Sequence, residues 1–224
     1  MTDPILYSLQ NCPYAIRARL GLFHARQPFK LRAVVLKNIP TEMLAASAKA
    51  TVPVLVLGDA DNGRLDGVKV IDESLDIMFW ALKNNDPQNL LYSNSPKAVE
   101  DIQGVIARND HEFIANLENY KYSKRYHDFA QLYYRDQCEQ FVADLEQRLS
   151  KHDFFVGDRP SVADYAILPF IRQFARVDRK WYLQAPYPNL RRWLDWQLQQ
   201  PMFTKVMAKY PPWLNQGEEF LLGT

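Results

Sequence analysis

The apolar residues of this chain change their spacing about one-third of the way along, and that change most restricts what the chain can fold into. Over the first eighty residues, short apolar runs alternate with stretches of helical spacing. Ile5 to Leu9 predicts a strand, ended by the polar pair Gln10-Asn11. From Pro13 to Arg26, Ala, Ile, Leu and Phe recur at the spacing of an amphipathic helix, between arginines. Lys30 to Leu36 predicts a second strand, and Thr41 to Ala50, rich in helix formers, a second helix. Val54 to Leu57 and Val68 to Ile71 predict a hairpin turning at Asp61-Asn62-Gly63. Ser74 to Lys83 predicts a closing helix. This order of elements requires a sheet covered by helices.

Beyond the polar, proline-containing stretch from Asn84 to Pro96, the pattern is helical only. Ala98, Val99, Ile102, Val105, Ile106, Phe113 and Leu117 fall on one face. Tyr134, Cys138, Phe141, Val142, Leu145 and Leu149 form a second, and shorter helices are predicted over 162–175, 189–198 and 202–209. The expected organisation is an α/β domain over 1–83, a linker over 84–96 and an all-helical domain over 97–224. Ser161-Val162-Ala163-Asp164 has the form of a capping box, in which Ser161 bonds the N–H three residues on and Asp164 reaches back. Pro169 is expected to bend the helix that follows.

A formal net charge of +1, from 27 basic and 26 acidic residues, supplies no general attraction to nucleic acid or anionic membrane. No stretch approaches the roughly 18 apolar residues of a membrane span. The N-terminal residues show no basic leader followed by an apolar run, so a cytoplasmic setting is expected. Two cysteines, Cys12 and Cys138, are too few for a disulfide framework.

The two cysteines differ. Cys138 lies inside an apolar helical stripe and reads as a core residue. Cys12 precedes Pro13, which suits a first helical turn because its missing N–H needs no partner there. That places Cys12 at the helix cap, where unpaired N–H groups and the helix dipole favour a thiolate and lower the thiol's pKa. Position 15 is Ala, so the second cysteine of a dithiol motif is absent. A one-cysteine site needs an external thiol to resolve a mixed disulfide.

Leu6-Tyr7-Ser8-Leu9-Gln10-Asn11-Cys12-Pro13-Tyr14-Ala15, Leu36-Lys37-Asn38-Ile39-Pro40, Val52-Pro53-Val54-Leu55 and Glu73-Ser74 follow one another in an order that resembles the cytosolic glutathione transferases of the omega or omega-like type. The resemblance covers nearly the whole chain. It implies a thioredoxin-like first domain, an all-helical second domain, glutathione as co-substrate, no metal, and a homodimer. It implies Cys12 as the catalytic residue and Tyr14, Val52, Pro53, Glu73 and Ser74 as glutathione-binding. Pro53 would be the cis-proline, with the Val52 backbone pairing the cysteinyl part. Glu73 would pair the γ-glutamyl ammonium, and the helix opened by Ser74 would take the carboxylate. Read on residues alone, Val-Pro-Val-Leu is equally a strand start, and Glu-Ser an ordinary helix cap.

Two departures stand out. Ile39 occupies the place of the family's lysine for the glycyl carboxylate, with Lys37 and Lys49 as candidate substitutes. Ser47-Ala48-Lys49-Ala50 replaces the family's Asn-Pro-x-Gly. Tyr7 is read as a strand residue, since Cys12 holds the nucleophile position. Tyr120, Tyr122 and Trp181 are candidate liners of a second-substrate pocket, or core and surface aromatics.

The implied activity is glutathione-dependent thiol transfer or reduction through a Cys12–glutathione mixed disulfide, acting on a small electrophilic or disulfide substrate. The alternative is a non-catalytic protein of the same fold that works through a macromolecular partner.

Overall fold

A computed structural model of the chain describes residues 3–58, 68–127 and 129–223. The Asp61-Asn62-Gly63 turn lies outside the described residues. The chain divides into two compact units, Met1–Gln88 together with Pro201–Thr224, and Asn89–Gln200.

The first unit begins with β1 (Ile5–Ser8), α1 (Pro13–His24), β2 (Phe29–Ala33), α2 (Thr41–Ala46), β3 (Val54–Leu57), β4 (Lys69–Ile71) and α3 (Ser74–Asn84). β1 pairs parallel with β2 and antiparallel with β3, which pairs antiparallel with β4. Every residue of β1 is buried, as a central strand covered on both faces should be. Ile5 and Tyr7 of β1, Val54 and Val56 of β3, and Met43 of α2 belong to one apolar cluster. Elsewhere α1 and α3 pack so closely that a Cβ on Gly21 would stand 2.6 Å from the Met78 Cα.

The expected second strand and second helix both end early. β2 stops at Ala33, and Val35 instead bridges Asn38 in a tight turn. α2 stops at Ala46 because Ser47 is extended, its hydroxyl bonded to Asp72, and Ala50 takes a left-handed φ of 54°. Helix propensity over 47–50 yields to that geometry. The arginines of α1 are not on a solvated face: Arg17 and Arg19 are buried. The Arg19 guanidinium donates to the Ser8 hydroxyl at 2.7 Å and the Gln10 carbonyl at 2.6 Å, tying down the loop that leads to Cys12.

The second unit contains α4 (Pro96–Arg108), α5 (Ile114–Tyr126), α6 (Gln131–Leu149), α7 (Val162–Val177), α8 (Arg179–Gln184) and α9 (Pro188–Gln199). The single face expected over 98–117 is interrupted by a π-helical turn at Asn109–Phe113. Cys138, Phe141, Val142, Leu145 and Leu149 are all buried on α6. The capping box forms at the head of α7, which continues through Pro169.

The chain then returns to the first unit through α10 (Pro201–Val206), α11 (Trp213–Gln216) and β5 (Phe220–Leu222). β5 pairs antiparallel with β2, giving the strand order β4-β3-β1-β2-β5. The expected boundary, with all of 97–224 in one helical domain, did not include this return. Gly223 permits it: its φ is +84°, and a Cβ there would overlap the Gln27 carbonyl oxygen. Arg32 of β2 clasps the returning segment, donating to Glu219 and stacking 4.1 Å from the Trp213 ring.

Candidate functional site

Cys12 is the N-cap of α1, with extended backbone angles of −71° and 124° and Pro13 directly after it. Its carbonyl accepts the first helical bond, from the Ile16 N–H at 2.9 Å. No side-chain hydrogen bond caps this helix, and the positive end of its dipole lies at Cys12. Cys12 is partly exposed. Its Sγ lies 3.9 Å from the Val52 carbonyl oxygen, a distance within the weak reach of a thiol donor.

Val52 leads into β3, and the Val52–Pro53 peptide is cis, as the resemblance implies. β4 then runs into Asp72 and Glu73, which precede α3. Glu73 occupies the N-cap of α3 with extended backbone and makes no side-chain cap bond, so the carboxylate is not spent on ordinary capping. Ser74, the first helical residue, is buried.

A cleft of about 400 Å³ is lined by Cys12, Tyr14, Leu36, Ala50, Thr51, Val52, Pro53, Asp72, Glu73 and Ser74. All six residues singled out from the sequence therefore meet in one place, drawn from the α1 N-terminus, the head of β3 and the head of α3. Tyr14 supplies an exposed ring on the first helical turn.

Asp72 was not anticipated, although it adjoins the Glu73-Ser74 pair. Its carboxylate accepts from the Ser47 hydroxyl at 2.7 Å and from the Lys49 ammonium at 2.9 Å. Those two bonds hold the Asp72 carboxyl below its ordinary range. The Lys49 ammonium also sits 2.6 Å from Glu73, and its pKa is raised by Glu73 first and Asp72 second. Ile39 is partly buried and packs on the apolar cluster of the sheet.

The remaining candidates fall outside the cleft. Tyr7 is buried, its hydroxyl accepts from Arg32 at 2.7 Å, and burial raises its pKa. Cys138 is fully buried and its thiol is pushed up to about 12, which leaves it unreactive at neutral pH. Tyr120 is a core residue against Phe174, Tyr122 is on the surface against Tyr126, and the Trp181 ring stacks with Arg135. No group of three or more His, Cys, Asp or Glu side chains suited to a metal ion occurs among the described residues. No helix among them is long and apolar enough to cross a membrane.

Residues 6–89 match the model of the glutathione S-transferase N-terminal domain, and residues 103–195 that of the glutathione S-transferase C-terminal domain, together more than half of the chain. The chain is 37% identical over 71 residues to glutathione S-transferase GstB of Escherichia coli strain K12. That match covers 32% of this chain and only 33% of GstB, a third of that relative's length. It is 28% identical over 216 residues to pyrimidodiazepine synthase of Drosophila melanogaster, covering 92% of this chain and 79% of that protein. Among solved structures, a glutathione transferase from Pseudomonas putida with one glutathione disulfide bound per subunit superposes with a TM-score of 0.78. That superposition has 17% identity and covers 93% of this chain and 92% of the other.

Proposed function

The chain belongs to the glutathione S-transferase family, and on that premise we propose that it is an omega-like, glutathione-dependent thiol transferase and reductase acting through Cys12. The Val52 backbone pairs the cysteinyl part of glutathione and places its sulfur against the cap of α1. Glu73 receives the γ-glutamyl ammonium, the N–H groups at the head of α3 receive the carboxylate beside it, and Tyr14 walls the cleft.

In the cycle, the Cys12 thiolate attacks the glutathione sulfur of a glutathionylated substrate. The Cys12–glutathione disulfide forms, the substrate–glutathione disulfide breaks, and the substrate leaves as its thiolate. A second glutathione thiolate then attacks the same glutathione sulfur, releasing glutathione disulfide and restoring the Cys12 thiolate. Glutathione supplies both electrons, and one protein cysteine suffices. The α1 N-terminus stabilises the thiolate at the start and end of each turn. A homodimer in a reducing compartment, where glutathione is abundant, completes the reading.

The observation that carries this proposal is the meeting of one partly exposed cysteine at a helix N-terminus with the cis Val52–Pro53 peptide and the head of α3 in a single cleft. Replacing Cys12 by serine keeps the shape and removes the nucleophile. C12S is expected to lose at least about a hundredfold in exchange with a glutathione mixed disulfide, and to lose the glutathione adduct seen by intact mass. Turnover equal to wild type would sink the mechanism.

A further inference from the structure

Two carboxylates of the cleft lining, Asp72 and Glu73, are paired with a lysine that glutathione recognition through Glu73 and Ser74 does not use. Lys49 bridges two carboxylates, at 2.9 Å from Asp72 and 2.6 Å from Glu73. Asp72 has a second tie, the Ser47 hydroxyl, and the less exposed side chain, 26% against 64% for Glu73. Of the two pairs, the one with Glu73 is therefore the easier to exchange. An α-amino acid end carries one ammonium and one carboxylate about a bond or two apart, so it presents both halves of such an exchange at once.

We propose that Lys49 is a specificity-determining residue that binds the α-carboxylate of the γ-glutamyl end, giving up its pair with Glu73 as the ligand's ammonium takes that place. The inference rests on the reading of the cleft as a glutathione site. The exchange conserves charge. One pair, Lys49 with Glu73, opens. Two close: the ligand ammonium on Glu73 and the Lys49 ammonium on the ligand carboxylate. Asp72, held by Ser47, keeps the lysine near the head of α3 during the exchange. The same carboxylate also receives the N–H groups at the head of α3, so lysine and helix act on one group from two sides. Lys49 thereby acts at the γ-glutamyl end of the ligand, and no compensation for Ile39 at the glycyl end is involved.

Binding of S-methylglutathione, whose blocked sulfur cannot react with Cys12, tests this by titration calorimetry. The second ligand is the S-methyl derivative of γ-aminobutyryl-cysteinylglycine, which keeps the ammonium and lacks the α-carboxylate. Lys49→Ala is expected to weaken S-methylglutathione by about fivefold, the upper end for an exposed charge pair. It should leave the decarboxylated ligand unchanged or bound more tightly, since Glu73 loses a competitor. Lys49→Arg should restore most of the loss. Unchanged or tighter binding of S-methylglutathione by K49A, or equal weakening of both ligands, overturns the role of Lys49 alone. Failure of the wild type to bind S-methylglutathione overturns the glutathione site itself, and the lysine's role with it. Lys49 is solvent-exposed, so the variant is expected to fold, which circular dichroism checks.

Discussion

Asp164 is the residue whose loss should harm folding most per atom removed, and its effect should depend on pH. The side chain is fully buried at the head of α7. Its Oδ2 accepts from the Ser161 N–H at 2.9 Å and the Ser161 hydroxyl at 2.9 Å. Its Oδ1 accepts from the Phe155 N–H at 3.2 Å and the Trp193 indole at 3.0 Å. Asp164→Ala leaves three buried N–H groups without an acceptor, at about 1.5 kcal/mol each, or about 4–5 kcal/mol together. Burial pushes the carboxyl up to about 6, against the pull of those donors. When it is protonated, the Ser161 oxygen can accept its O–H. The folded state thus binds this proton more tightly than the unfolded chain, whose carboxyl titrates near 3.9. The contribution of Asp164 is complete below about pH 4 and declines as pH rises through about 6, by about 3 kcal/mol. Urea unfolding followed by tryptophan fluorescence should therefore find D164A destabilised by about 4–5 kcal/mol at pH 4 and by about 2 kcal/mol at pH 7. A penalty that is constant, or that grows toward neutral pH, would refute the reasoning. It would mean that the four donors outweigh burial and hold the carboxylate ionised.

Two further outcomes follow from the first unit. Gly21→Ala forces a Cβ to within 2.6 Å of backbone on α3, so it should cost about 2–3 kcal/mol in chemical denaturation despite alanine's better helix propensity. His24, buried at the end of α1 with a bond to Gln88, has a pKa lowered to about 4, chiefly by burial. The unfolded chain binds that proton more readily, so this histidine favours the native state fully above about pH 6.5 and progressively less as pH falls to about 4. The His24 imidazole resonances should show a neutral ring at pH 5.5, and a titration midpoint near the ordinary 6.5 would contradict its burial.

Much of the candidate site could be read in order along the chain because its parts are local. A cysteine before proline, a proline after an apolar residue, and Glu-Ser before a helical run each announce a backbone geometry within a few residues. Asp72 and the partners of Lys49 were harder to see. Their bonds join Ser47 and Lys49 to Asp72 across 25 and 23 residues, and no periodicity encodes such a meeting. The missed elements have the same cause. β5 is three residues long, and nothing in its composition says that it completes a sheet begun at residue 5. Arg32 and Glu219 are 187 residues apart. The π-helical turn at Asn109–Phe113 leaves the apolar spacing around it nearly unchanged, so the pattern over 98–117 reads as one helix.

By itself, the sequence determined the order and kind of most elements, the solitary cysteine at a helix start, and the position of a proline able to be cis. These depend on side-chain period, capping and φ restriction, which act over one turn or one strand. Tertiary structure alone decided that the last 24 residues rejoin the first unit, that α2 stops at Ala46, and that the solvent-exposed Lys49 pairs with both Asp72 and Glu73. Those outcomes depend on edges, left-handed backbone positions and charges brought together only when the sheet closes. The local rules place the thiol at its helix, and the closed sheet supplies the cleft around it.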